Sequence, residues 1–277
     1  MSANQAQARP QRSRENGREL KLLHWIYSQP NLDSIRGSPQ KVLDLIDEYS
    51  QTYHFMTVGQ EKGPIVTELI ETYKPKKMVE LGCYVGYSAI LFGDAVRRNG
   101  GSHYYSLELN PEYAAIANML VELAGLRDFV SILVGRSDVL LNQLFESEAV
   151  EQVELLFIDH YKPAYTLDLK LCEQLGKIVP GVSVIAADNV IMPGNPPYLE
   201  YVRSSVEKKR EAAAKGPSKA YTTEGFAERT VNDFMGNDSV PKFEILGNPN
   251  LVYESVLRQP EGCRDAIEVT RCVGIQE

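Results

Sequence analysis

Apolar and polar positions along the chain fall into a regular alternation of short strand-like runs and longer helical ones. Between residues 20 and 27 an apolar stretch with helical spacing follows a polar, arginine- and serine-containing N-terminal segment. Pro30 to Pro39 is turn-rich, and Ser38-Pro39 has the chemistry of an N-cap followed by a proline at the first helical position. Val42, Leu45, Ile46 and Tyr49 then repeat at the spacing of one helix face. Pro64 is expected to open a further helix through Ile65, Leu69 and Tyr73, ended by Pro75. From Lys77 onward the rhythm is strand then helix. Strands are predicted at Met78–Leu81, Tyr104–Leu107, Phe129–Val134, Val153–Ile158 and Val182–Ala187, each followed by a helical pattern. Asn110-Pro111 and Ser137 are expected caps for two of those helices, and Gly125 a helix stop. Strands at Lys242–Leu246, Val252–Leu257 and Ala266–Val273 are predicted to close the chain.

Strands alternating with helices imply a parallel sheet covered by helices on both faces, an α/β fold of Rossmann-like class. Residues 1–19 read as a solvated, disordered tail and 20–277 as a single domain. Residues 203–241 break the rhythm and read as a polar, partly helical insertion.

Composition narrows the function classes. A net charge of −8 leaves no overall basic footprint for nucleic acid and argues against anionic membranes. No apolar run approaches the ~20 residues of a membrane span. The N-terminal segment lacks the apolar core of a secretory signal. The four cysteines are scattered, with no C-x-x-C pair, as expected of buried thiols in a reducing, cytoplasmic compartment.

The chemistry gathers where strands end. Val79-Glu80-Leu81-Gly82-Cys83-Tyr84-Val85-Gly86-Tyr87-Ser88 reads as strand, glycine turn and helix. Such a turn suits a ligand cradle, or two glycines needed only for packing. Glu80, Glu108, Asp159 and Asp188 each close a predicted strand, which puts four acids on one rim. Glu108 is placed to accept ribose hydroxyls, a role common to dehydrogenases and methyltransferases. Asp159, Asp188 and Asn189 offer three side-chain oxygens from neighbouring strand ends, a set that suits a hard cation such as Mg²⁺. Lys162 is within reach of the same place. His160 is a weaker candidate ligand than a hydrogen-bonding neighbour of the cofactor.

Taken in order, Glu80-Leu81-Gly82-x-Tyr84-x-Gly86-Tyr87-Ser88, Glu108-x-Asn110-Pro111, Val134-Gly135-x-Ser137, Asp159-His160-x-Lys162 and Asp188-Asn189-Val190-Ile191-x-Pro193-Gly194 resemble the catechol O-methyltransferase family over roughly residues 40–204, and weakly again over 250–273. The resemblance implies a seven-stranded class I methyltransferase sheet with the last, antiparallel strand inserted. It implies S-adenosylmethionine and Mg²⁺ as cofactors and a catechol-type small-molecule substrate; on the charge balance, no nucleic-acid or membrane partner is expected. Oligomeric state stays open, with a monomer as the expectation. Carried over by position, Asp159, Asp188 and Asn189 match the metal ligands and Lys162 the general base. Val58, Glu80, Gly82, Tyr84, Ser88, Glu108, Ser137, Asp159 and His160 match the cofactor site. Met56, Tyr161, Lys162, Asn189 and Pro193 match the substrate slot.

The chain also departs from the pattern. Tyr161 and His54 stand where the family carries tryptophans, and the insertion is longer. The acid expected on the second catechol hydroxyl has no counterpart, Arg258 falling in its register with Glu261 three residues on. Two alternatives follow: the same transfer to another vicinal-diol phenolic, or an inactive methyltransferase-fold binding module.

Overall fold

The computed structural model describes residues 17–232 and 240–277. The N-terminal segment to residue 16, most of the expected tail, lies outside the described residues. The tail's expected last residues are ordered: α1 spans Arg18–Tyr27, and Glu19 in its first turn is buried. A short α2 (Leu32–Ile35) crosses the turn-rich connection. Helix α3 (Pro39–Ser50) begins as predicted, Ser38 Oγ accepting from Lys41 N at 3.5 Å. Helix α4 (Gly59–Tyr73) starts five residues before Pro64. Pro64 therefore sits inside the helix, where it lacks the N–H that would bond one turn back.

The βα alternation then follows: β1 (Lys77–Leu81), α5 (Tyr87–Arg98), β2 (His103–Glu108), α6 (Pro111–Leu123), β3 (Val130–Val134), α7 (Ser137–Glu146), β4 (Leu155–Ile158), α8 (Tyr165–Gln174) and β5 (Val184–Ala187). Helices α9 (Pro196–Arg203), α10 (Val206–Ala213) and α11 (Glu228–Asn232) precede β6 (Leu251–Arg258) and β7 (Ile267–Ile275). Strand order is β3-β2-β1-β4-β5-β7-β6. All pairings are parallel except β5–β7 and β7–β6, so the last strand is inserted antiparallel between β5 and β6.

Both faces of the sheet are covered, which explains the nearly unbroken apolar runs of the central strands. Met78, Leu155, Phe157, Val184 and Ala186 point to one core, shared with α1 and α3 to α6. Val79, Leu81, Leu156, Ile158, Ile185 and Ala187 point to the other, shared with α7, α8 and α9. Side chains alternate because successive residues of a strand face opposite sides.

Two further local expectations fail. Lys242–Leu246 forms no strand; Ile245 makes only an isolated bridge with Ser218 of the insertion. Its neighbours spend their N–H groups on side chains instead, Lys242 on Asp138 and Leu246 on Gln174. Ser137 is not an N-cap either. Arg136 takes that position, and the Ser137 hydroxyl bonds to Asp168.

Candidate active site

Strand order reverses at β1, whose neighbours are β2 on one side and β4 on the other. Open α/β sheets bind ligands beyond the strand ends at such a switch point. The turn after β1 lies there. Gly82, Tyr84 and Gly86 all have left-handed backbone, with φ of 88°, 51° and 91°. The two glycines are also needed for packing. A Cβ on Gly82 would meet the carbonyl oxygen of Asp159 at 2.8 Å, and one on Gly86 the Cβ of Ala117 at 3.0 Å. The first lets the ends of β1 and β4 come together; the second lets α5 meet α6.

Glu108, at the end of β2, closes this turn. Its Oε2 accepts from Cys83 N at 3.2 Å and Tyr84 N at 2.9 Å, and its Oε1 from Asn110 N at 2.9 Å. Burial pushes its carboxyl up, against the pull of those N–H groups. Glu80 is not on an open rim. It is fully enclosed beneath the turn, where Ser106 Oγ donates to its Oε2 at 2.6 Å, and burial pushes it up to about 8. Ser88 is buried on α5. Tyr84 donates its hydroxyl to Glu19 Oε1, so α1 reaches the same turn.

Past β4, His160 Nε2 and Ser137 Oγ both bond to Asp168 Oδ2, each at 2.6 Å. The His160 ring lies parallel to Tyr165, 5.2 Å between centroids. Its partner is thus an acid on α8 rather than a metal position. Three buried polar atoms in this neighbourhood make no hydrogen bond: Glu80 Oε1, His160 Nδ1 and Asp168 Oδ1. Unpaired buried groups of this kind are costly, and a polar ligand in the crevice would satisfy His160 Nδ1, whereas Glu80 and Asp168 are fully enclosed.

Asp159, Asp188 and Asn189 come together at the ends of β4 and β5. Asp188 N donates to Ile158 O, and repulsion from Asp159 reaches the Asp188 carboxylate. Burial first and that repulsion second hold Asp188 well above the usual carboxylate range, more than the nearby lysines offset. Each side chain commits one end. Asp159 Oδ1 accepts from Lys162 Nζ at 2.8 Å. Asp188 Oδ1 accepts from Lys62 Nζ at 2.5 Å and Asn189 N at 2.8 Å. Asn189 Nδ2 donates to Asp265 Oδ2 at 2.8 Å. Among the described residues Asp159 Oδ2, Asp188 Oδ2 and Asn189 Oδ1 are left without donors. No three acids, histidines or cysteines gather there as a cage. The set is two carboxylates and an amide, a hard, oxygen-only donor group that fits Mg²⁺.

Lys162 Nζ also donates to Tyr165 Oη at 2.7 Å, and Tyr165 Oη to the Asp188 carbonyl at 3.2 Å. The remaining expected residues have these surroundings. Val58 is buried before α4, and Met56 is exposed. Tyr161 meets Tyr221 of the insertion edge-on at 5.8 Å. Pro193 follows Met192 through a cis peptide bond. Arg258 pairs instead with Glu68 on α4 at 2.7 Å, and Glu261 is exposed.

Four residues here escape sequence reasoning: Lys62, Tyr165, Asp168 and Asp265. Lys62 does leave a signal. It lies on the apolar stripe Val58–Lys62–Ile65–Leu69 of α4, where a charge demands a buried partner. Burial lowers its pKa, but Asp188 and Asp265 together raise it to about 12. Asp265 has no periodic signature, because its role depends on a loop from another part of the chain.

The O-methyltransferase family profile matches residues 39–207. The chain belongs to the O-methyltransferase family. It is 42% identical to catechol O-methyltransferase of Mus musculus over 170 residues, 61% of this chain and 63% of the mouse protein. With the Bos taurus catechol O-methyltransferase it shares 39% over 173 residues, 62% of each chain. The chain thus spans less than two thirds of these relatives. An O-methyltransferase from Bacillus cereus, solved in complex with SAH, superposes with a TM-score of 0.53 at 19% identity, over 92% of this chain and 97% of that one. The O-methyltransferase TomG of Streptomyces achromogenes, in complex with SAM, gives 0.55 at 17%, over 94% and 97%. Those likenesses show the seven-stranded methyltransferase fold. Among the described residues, no helix is long and apolar enough to cross a membrane.

Proposed function

We propose that the protein transfers a methyl group from S-adenosylmethionine to one hydroxyl of a catechol-type small molecule, with Mg²⁺ at Asp159, Asp188 and Asn189. The observation that carries the reading is the trio of uncommitted oxygens with Lys162 hydrogen-bonded beside it. The O-methyltransferase profile spans all four residues, and the similarity to catechol O-methyltransferases supports the substrate class.

When bound, the sulfonium cofactor supplies an electrophilic methyl, and the cation lowers the pKa of a phenol otherwise near ~10. The chain supplies alignment and a proton acceptor. Lys162 Nζ takes the hydroxyl proton. Asp159 and Tyr165 hold that nitrogen from two sides. Bound there, the cofactor would supply the methyl to that hydroxyl oxygen and keep the carbon–sulfur electron pair on sulfur. Glu108 and the Gly82–Gly86 turn hold the nucleoside and amino-acid ends, with Ser88, Ser137 and His160 around them. Val58 and Met56 would cover the methyl group, and Tyr161 and Pro193 would flank the acceptor.

A second reading keeps this chemistry and changes the acceptor to another vicinal-diol phenolic. Tyr221 on Tyr161 favours it, since the insertion then shapes a wall of the slot. So does Arg258, which is engaged with Glu68 and not available to a second hydroxyl. Methyl transfer from labelled S-adenosylmethionine to simple catechols, larger vicinal-diol phenolics and matched monophenols, with Mg²⁺ or with EDTA, tests both. Transfer only to vicinal diols and only with the cation is expected. No transfer to any diol, or equal transfer to monophenols in EDTA, overturns the proposal.

A further inference from the structure

Asp265 sits between β6 and β7, far in sequence from the ends of β4 and β5, yet closes on them. Its Oδ2 accepts from Lys62 Nζ at 2.6 Å and from Asn189 Nδ2 at 2.8 Å. Its Oδ1 accepts from Ile191 N at 3.2 Å and Met192 N at 2.8 Å. Two donors on each oxygen use the acceptor capacity of a carboxylate, so Asp265 is neither a ligand nor a hydroxyl acceptor. An ionised carboxylate only accepts. The edge of the Asn189 amide that faces Asp265 must therefore be its NH₂, and Oδ1 must face the other way. Asn189 itself has left-handed backbone, φ 57°, a conformation asparagine tolerates better than most residues.

We infer that Asp265 is the positioning residue of the cation site: it fixes the flip of the Asn189 amide and ties Lys62 off to the side, so that an oxygen rather than an NH₂ group is offered to the cation. This rests on the cation reading proposed above. Without Asp265 the amide is free to turn its NH₂ toward the positive ion, and Lys62 has Asp188 as its only acid partner. Groups that orient metal ligands in this way typically contribute 10–100-fold to metal affinity.

The test uses the full chain and Mn²⁺ as probe, read by electron paramagnetic resonance of the free ion. Asp265→Ala is expected to weaken Mn²⁺ binding ~10–100-fold, with S-adenosylhomocysteine affinity in EDTA unchanged. Asp265→Asn, which keeps one acceptor oxygen for Asn189, is expected to lose less, and it serves if the alanine variant does not fold. In an Asn189→Ala background, Asp265→Ala should cost less than it does in the wild type, because the part of its effect that passes through the amide is already gone. Unchanged Mn²⁺ affinity in the Asp265 variants, or the same loss with and without the Asn189 side chain, overturns the inference. Wild-type protein that takes up no Mn²⁺ overturns instead the cation reading beneath it.

Discussion

Lys162 is held at two points, by Asp159 Oδ1 and Tyr165 Oη. A lysine held only as an ion-pair partner would tolerate arginine; one that takes a proton would not, since arginine stays protonated. Lys162→Ala is expected to slow methyl transfer by ~10²–10⁴-fold, less for acceptors with electron-withdrawing groups, whose hydroxyls ionise more readily. Steady-state rates for Lys162→Ala and Lys162→Arg on acidic and ordinary catechols check this. An arginine variant at wild-type rate would remove Lys162 as the base. Glu80 carries a pH prediction of its own. Burial raises its carboxyl from the ordinary 4.5 to about 8. Between those values the folded state binds more protons than the unfolded one. Its contribution to stability is therefore complete at the acid end of the window and is lost as pH rises through about 8. Glu80→Gln should flatten the fall in unfolding free energy over that range, by up to about 1.4 kcal/mol per pH unit. Parallel denaturation curves for wild type and variant at each pH would refute it.

At the level of elements, α1 does more than cover the sheet. Its first turn places Glu19 on the Tyr84 hydroxyl, with Arg18 Nε donating to the same Glu19 oxygen at 2.8 Å. Arg18 also donates to the His54 carbonyl at 2.9 Å and lies over Phe55. The N-terminal helix thus braces both the glycine turn and the segment leading to Met56 and Val58. Glu19→Ala removes a charge-assisted hydrogen bond at a buried position, which costs ~1.5–3 kcal/mol. A drop in melting temperature of several degrees and weaker S-adenosylhomocysteine binding are expected together, the first by calorimetric scanning and the second by titration. A change in stability with cofactor affinity untouched would mean that α1 supports the fold alone.

For the whole molecule, the question is how the insertion sits on the α/β frame. Arg136 holds it from the end of β3: Nη2 donates to Tyr221 Oη at 3.1 Å and to the Val240 carbonyl at 2.9 Å. Asp138 takes Lys242 N at 2.8 Å beside it. Arg136 is one residue from Ser137, so the anchoring of the insertion and the expected cofactor pocket share a short loop. Arg136→Ala should speed tryptic cleavage at Lys219, which is exposed and held by a surface ion pair to Glu244. The variant should also lose thermal stability, because Arg136 pairs through Nε and Nη2 with the buried Asp138 at 3.0 Å. Cleavage at the wild-type rate would mean that other contacts anchor the insertion.

The strand–helix alternation, the glycine turn and the Asp159, Lys162, Asp188 and Asn189 set are all legible along the chain. They are local: a strand end and a glycine turn each declare themselves within a few residues, and a parallel sheet carries its strand ends to one edge. What the strands' neighbours do is not local. That Glu80 is sealed beneath the turn follows from Ser106 standing across from it on β2. That Lys242–Leu246 fails as a strand follows from side chains on α7 and α8 claiming its N–H groups. Lys62 announces itself only as a charge on an apolar stripe, and Asp265 not at all, because its four donors come from α4 and from the loop after β5. Sequence alone determines which chemical groups stand at the strand ends. Tertiary structure decides which of their atoms are already engaged and which stay available, since hydrogen-bond capacity is divided among neighbours that only folding brings together.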